Sequence, residues 1–172
     1  MNRPTARDLI KRYQLGELPI EGGYFSQSYL SPESISKKCL PERYASDHPV
    51  STAIYYLLTD EPDIFSALHW LKTVEVYHFY LGDPVEMLLL YPTGEHEIIH
   101  FGHDILNGQE VQYVVPQGVW QGSRLMDGGE FALLGTTMAP AYLDEDVVFG
   151  TFEELAMQYT EASDMIRKLT RM

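Results

Sequence analysis

The sequence predicts an all-β protein, an antiparallel sandwich or barrel, with one helix at each end. Three observations predict it. Nine short runs read as strands, turn residues punctuate them about every 8–12 residues, and helical apolar spacing is confined to the two ends.

Thr5 can cap a first helix with Asp8 in its first turn, and Gly16 can end it, which places that helix at about residues 5–15. The strand runs follow as residues 23–30, 51–58, 64–71, 74–81, 85–91, 97–101, 110–115, 119–124 and 130–138. Between them lie turn clusters such as Gly82-Asp83-Pro84, Pro92-Thr93-Gly94-Glu95 and Asp127-Gly128-Gly129. Glycine supplies positive φ there and proline removes a ladder donor, so each cluster stops a strand for a stated reason. The polar, proline-containing stretch from Ser31 to Pro49 reads as a long loop. Thr151 and Glu154 have the spacing of a capping box. After them Phe152, Leu155, Ala156, Tyr159, Ala162, Ile166 and Leu169 form a helical stripe over about residues 151–170, expected to pack on the barrel. The whole chain, residues 1–172, reads as one domain with its barrel over about residues 20–145.

Composition excludes several classes. Hydrophobic residues make up 45% and the net charge is −13, so the chain is foldable and a poor partner for nucleic acid or an anionic membrane. No apolar run reaches the roughly 18 residues that a membrane span needs. The opening MNRPTARDLIKRY lacks an apolar signal segment, and the single cysteine, Cys39, allows no internal disulfide. A cytoplasmic location is expected.

The chemistry-bearing stretch runs from Phe65 to Pro84. His69 and Glu75 fall on consecutive strand runs separated by Lys72-Thr73. Read as a hairpin, that turn brings both side chains to one depth of one sheet, where they can form an acid/base couple or two metal ligands. A later strand, opened by Pro116-Gln117-Gly118, can deliver Gln121 into the same interior.

These residues resemble a family. His69, Leu71, Glu75 and Gly82 follow the spacing of the first cupin motif, H-x-H-x(3)-E-x(6)-G, and Pro116, Gly118 and Gln121 that of the second, P-x-G-x(2)-H. With Glu21-Gly22-Gly23-Tyr24-Phe25, Ser51 to Leu58 and Val76 to Pro84, they look like the small single-domain cupin family of unknown function called cupin family five. The resemblance covers about residues 5–145 and implies an antiparallel double-stranded β-helix, the jelly-roll barrel. It also implies a homodimer paired through the N-terminal strands, in keeping with segments such as Tyr24-Phe25 and Val76, His78 and Tyr80, which carry apolar or aromatic residues on both strand faces. Leu71 and Gln121 stand where metal-binding cupins place two histidines. No cofactor is therefore expected, and His69 and Glu75 are the two positions left to hold a divalent metal.

Each candidate also has a bland reading: His69 or His78 as a hydrogen-bonded core residue, Glu75 as half of a salt bridge, Tyr77 and Trp120 as walls. Tyr55, Tyr77, His78, Trp120 and Gln121 are the candidate ligand-binding residues, and His69 and Glu75 the catalytic pair. His48, His96, His100 and His103 read as solvated, and Asp144, Glu145 and Asp146 as a charged surface loop. Two functions remain open. One is a small-molecule isomerase, because the setting of His69 resembles that of the base in metal-free nucleotide-sugar epimerases, acting on a sugar or a sugar-nucleotide-like carbonyl compound. The other is a barrel that binds a small metabolite without transforming it.

Overall fold

In a computed structural model, residues 3–171 are described. After α1 (Ala6–Tyr13) the chain forms β1 (Gly16–Glu17), β2 (Tyr24–Leu30), β3 (Ser34–Ile35), β4 (His48–Pro49), β5 (Thr52–Thr59), β6 (Ser66–Leu71), β7 (Glu75–Gly82) and β8 (Val85–Leu90). It continues through β9 (His96–Phe101), β10 (Gln112–Val115), β11 (Trp120–Leu125), β12 (Phe131–Met138) and β13 (Val147–Phe149) to α2 (Phe152–Gln158) and α3 (Ser163–Lys168).

Two antiparallel sheets form the barrel. One has the order β1-β2-β5-β12-β7-β10 and the other β13-β6-β11-β8-β9. Period-two alternation builds the core between them. Tyr56 and Leu58 of β5, Tyr77 and Phe79 of β7, Met87 and Leu89 of β8 and Leu134 of β12 form one buried cluster. The opposite face of the first sheet is covered at one end by α1, where Leu9 and Leu15 meet Leu57, Phe131 and Leu133. The second sheet is covered by the C-terminal helices, whose Leu155, Tyr159, Ile166 and Leu169 pack on Leu68, Leu88 and Leu90.

Local chemistry explains the ends. Thr5 accepts from the Asp8 N–H while Asp8 accepts from the Thr5 N–H, a closed capping box. The helix stops at Gln14, which takes the left-handed conformation at φ 53°. Gly16, expected to end the helix, instead opens β1. The single C-terminal helix is also corrected. It breaks at Tyr159 (φ −121°, ψ 65°), whose phenol donates to the Tyr91 carbonyl at 2.8 Å, and a one-turn helix at Thr160–Ala162 leads into α3. The expected loop from Ser31 to Pro49 holds the short β3–β4 pair.

One correction bears on the site. Lys72-Thr73 does not close a hairpin, because β6 and β7 belong to different sheets. The link crosses the end of the barrel, and the Leu71 carbonyl accepts from the Gly118 N–H at 2.9 Å. A short polar connection looks alike in sequence whether it turns within a sheet or steps between two.

Candidate functional site

His69 and Glu75 therefore meet across the barrel rather than along a hairpin. β6 places His69 beside Gln121 of β11 on one side and Phe149 of β13 on the other. Glu75 begins β7 in the facing sheet, between Val115 and Met138. All three polar side chains are buried.

Their hydrogen bonds form a chain. His69 Nδ1 lies 2.8 Å from the Ala67 carbonyl oxygen. That oxygen can only accept, so Nδ1 carries the proton and Nε2 keeps its lone pair in the neutral ring. Gln121 Nε2 donates to Glu75 Oε2 at 2.7 Å and sits 3.3 Å from His69 Nε2. The amide thus bridges the two candidate catalytic groups. Gln121 Oε1 is buried with no hydrogen-bond partner.

His69 and Glu75 open onto a cavity of about 100 Å³, lined also by Glu21, Phe25, Ile54, Tyr56, Thr136 and Tyr142, with Gln121 behind them. Exposed Gln27 and Tyr142 mark its mouth. Burial pushes the Glu75 carboxyl above its ordinary value. His69 opposes that shift, Glu21 adds to it, and polar contacts from Thr136 and Gln121 oppose it. Burial also holds the Tyr77 phenol well above its usual range, with Glu75 adding to the effect. Tyr56 is raised by burial and by Glu21, and its phenol donates to the Gly22 carbonyl at 2.9 Å.

The Glu21-Gly22-Gly23 turn delivers Glu21 to this space. Gly22 and Gly23 have φ of 96° and 75°, and a Cβ on Gly23 would meet the Tyr56 hydroxyl at 2.6 Å. Only glycine takes that backbone so close to a core phenol.

Of the ligand-binding candidates, Tyr77 and Gln121 point into the barrel. Tyr55, His78 and Trp120 are placed elsewhere, each of opposite parity to an interior neighbour. Tyr55 stacks against Tyr13 of α1. His78 lies against Thr137 and Tyr80 on the outer sheet face. Trp120 packs under the C-terminal helices. Glu21, Tyr56, Thr136 and Tyr142 were missed as site residues. Tyr56 was legible from its shared parity with Ile54, and Glu21 from the Gly-Gly turn. Tyr142 has no local signal.

The cavity trio does not suit a tightly held zinc or iron. It offers one imidazole and one carboxylate, and between them an amide N–H that donates and cannot ligate. Among the described residues, one other group gathers three ligand-type side chains, His48, Glu145 and Asp146, with ligating atoms within 4.8 Å of one another. This corrects two expectations. His48 and Asp146 are completely buried, not solvated. His48 Nε2 lies 2.7 Å from Asp146 Oδ2, its Nδ1 faces the Ser46 carbonyl, and Lys72 Nζ lies 3.3 Å from Asp146 Oδ1. Tyr44 covers the ring, with centroids 4.8 Å apart. An ammonium already sits at the carboxylate, so the group forms an ion-paired clasp among three loops.

Two antiparallel sheets around a buried His/Glu/Gln cavity define a cupin-type barrel. The more specific assignment follows from comparison. The family model described as "Cupin superfamily (DUF985)" matches residues 7–150, and the chain belongs to that family. An uncharacterized protein of Saccharomyces cerevisiae is 32% identical over 138 residues, covering 75% of this chain and 67% of the relative. A protein from Shewanella oneidensis superposes with TM-score 0.84 at 26% identity, over 98% of this chain and 99% of that one. A hypothetical protein from Leishmania major gives 0.85 at 25% identity, over 98% and 100%. Oxalate decarboxylase from Bacillus subtilis shares the fold alone, with TM-score 0.50 at 14% identity over 90% of this chain and 37% of that one.

Proposed function

We propose that the barrel binds a small carbonyl compound and moves a proton at the carbon beside its carbonyl, as an isomerase or epimerase would. One observation carries this reading: the Nδ1 bond to Ala67 fixes the neutral tautomer and leaves the His69 Nε2 lone pair inside the cavity. In the proposed step Nε2 takes the proton, the C–H electron pair forms an enolate, and the imidazolium returns a proton to carbon. The Gln121 amide must swing aside to admit the substrate. Tyr142, whose phenol is raised by burial and by Asp144, stays protonated at the mouth and can donate to the developing oxyanion. A cavity of about 100 Å³ favours a small sugar-like carbonyl over a sugar nucleotide.

The test is solvent exchange. A panel of small hydroxyketones in heavy water should exchange the hydrogen beside the carbonyl, followed by proton NMR, and His69→Asn should stop it. Equal exchange by that variant removes His69 from the role. The second reading, a non-catalytic binding barrel, is favoured by the same Gln121 amide, which already engages the His69 lone pair. Ligand-dependent thermal stabilisation without exchange would select it.

We also propose a homodimer through the outer face of the first sheet, where Tyr29, Tyr80 and Val114 stay exposed beyond α1. Sedimentation at the 19.7 kDa monomer mass across micromolar concentrations would refute it. No helix is long and apolar enough to cross a membrane, and a cytoplasmic location is the setting proposed for this chemistry.

A further inference from the structure

The cavity sets two carboxylates against a single imidazole, His69. Glu21 and Glu75 both line it, and its lining residues include no Lys or Arg. Arg171 approaches from outside but is spent on backbone: its Nη2 donates to the carbonyls of Glu21, Asp63 and Phe65. The hydrogen-bond inventory leans the same way. Tyr56 spends its phenol on Gly22, and Ser66 donates to one Glu21 oxygen at 3.0 Å. Carboxylates accept and do not donate, so donors on an occupant are met here, while an anion would meet two carboxylates with no Lys or Arg among the lining residues to offset them. The faces of Phe25, Tyr56 and Tyr77 supply walls that attract a positive charge.

We infer that this pocket selects a small organic ammonium ion and excludes carboxylates and phosphates. The inference rests on the reading of the cavity as a ligand site and narrows the carbonyl compound to an amino-substituted one. The enclosed space of about 100 Å³ suits about four non-hydrogen atoms, since a cavity of about 150 Å³ accommodates the six of benzene, so a slightly longer ligand reaches the mouth.

Protonation supplies a second signature. Burial holds Glu75 above its ordinary value, Glu21 pushes the same way, and His69, Thr136 and Gln121 oppose. Tyr56, Tyr77 and Tyr142 share the space and are themselves raised, so they stay neutral. An entering ammonium favours ionised Glu75 and displaces its proton. Affinity for the cation then rises with pH across the Glu75 titration, while an anion would show the reverse.

The experiment uses three four-carbon probes of matched size: aminobutanol, butanediol and hydroxybutyrate. Each is titrated calorimetrically into chelator-treated protein between about pH 4 and pH 8. Aminobutanol should bind about tenfold more tightly than butanediol, its affinity should rise with pH, and hydroxybutyrate should give no heat of binding. Glu75→Gln should cost aminobutanol about tenfold in affinity, a change of about 1.4 kcal/mol, and remove the pH dependence. Circular dichroism of the variant checks its fold, and Glu21→Gln provides a second carboxylate test. Equal or tighter binding of hydroxybutyrate, pH-independent aminobutanol binding, or no binding by any probe overturns the inference. In the first two cases, a probe whose binding the Glu75 and Glu21 variants alter leaves the cavity standing as the ligand site, and only its charge selection falls. The hydroxyketone exchange assay judges the proposed chemistry separately.

Discussion

Two buried histidines in this barrel face carboxylates, and they are finished differently. At the loop clasp, His48 meets Asp146 directly at 2.7 Å, and Lys72 lies 3.3 Å from the second oxygen. At the cavity, an amide stands between His69 and Glu75, and its own oxygen accepts from nothing. The first arrangement fills its space and matches charge with charge. The second keeps about 100 Å³ open and gives its carboxyl an amide donor and an imidazole neighbour but no Lys or Arg. Residue type alone does not separate structure from chemistry here. Each site holds a buried oxygen with no hydrogen-bond partner, Asp146 Oδ1 and Gln121 Oε1, and what separates them is that the Lys72 ammonium answers the first carboxylate while no Lys or Arg lines the cavity.

Asp146→Ala tests the answered site and should have the largest effect. It strips the carboxylate from a fully buried imidazole and from Lys72, and breaking a buried pair on one side typically costs about 3 kcal/mol. Urea unfolding should show that loss, whereas exposed Glu145, replaced by Ala, should cost less than about 0.5 kcal/mol. Equal effects at the two positions would mean that the clasp carries no special weight.

At the cavity, Glu75→Gln should change stability by less than about 2 kcal/mol and alter its pH dependence. Glu75 is raised in the folded protein, so the folded state holds more protons than the unfolded chain between the ordinary value and the raised one. Its stabilising contribution is present below the ordinary value of 4.5 and is lost as pH rises through the raised value. Gln does not titrate. The stability of the variant relative to the parent should therefore increase with pH across that window and then level off. A difference that is flat with pH would show that Glu75 is not shifted.

The same contrast explains what the sequence could convey. Strand alternation and turn residues made the barrel legible, and Tyr77, read as an aromatic wall, lines the cavity. Spacing brought His69, Glu75 and Gln121 together, although the hairpin argument behind it was wrong, because a strand link carries no mark of which sheet it enters. Parity also misled where both strand faces are covered. Tyr55 and Trp120 look like cavity walls, yet they pack under helices at opposite ends of the chain. His48 and Asp146 lie 98 residues apart in polar segments, and only the folding of two loops onto Lys72 and Tyr44 buries them.

The smallest global effect, and the most local, should come from Arg171→Ala. Arg171 Nε donates to the Ile20 carbonyl at 2.5 Å, Nη2 reaches three more carbonyls, and the guanidinium stacks on Phe65 with 4.5 Å to the ring centroid. The two loops it joins hold Ile20 and Asp63 at φ of 67° and 68°, a left-handed backbone that disfavours a β-branched residue. Arg171 is exposed, so its removal should cost less than about 1 kcal/mol overall. Glu21, however, enters the cavity from the first of these loops. Hydrogen exchange should therefore quicken at residues 20–23 and 64–66 while the amides around His48 and Asp146 keep their protection. Aminobutanol affinity should fall in parallel, because one of its two carboxylates loses its fixed position. A uniform rise in exchange across both regions would instead make Arg171 a general stabiliser, and the cavity loop would be no more dependent on it than the clasp.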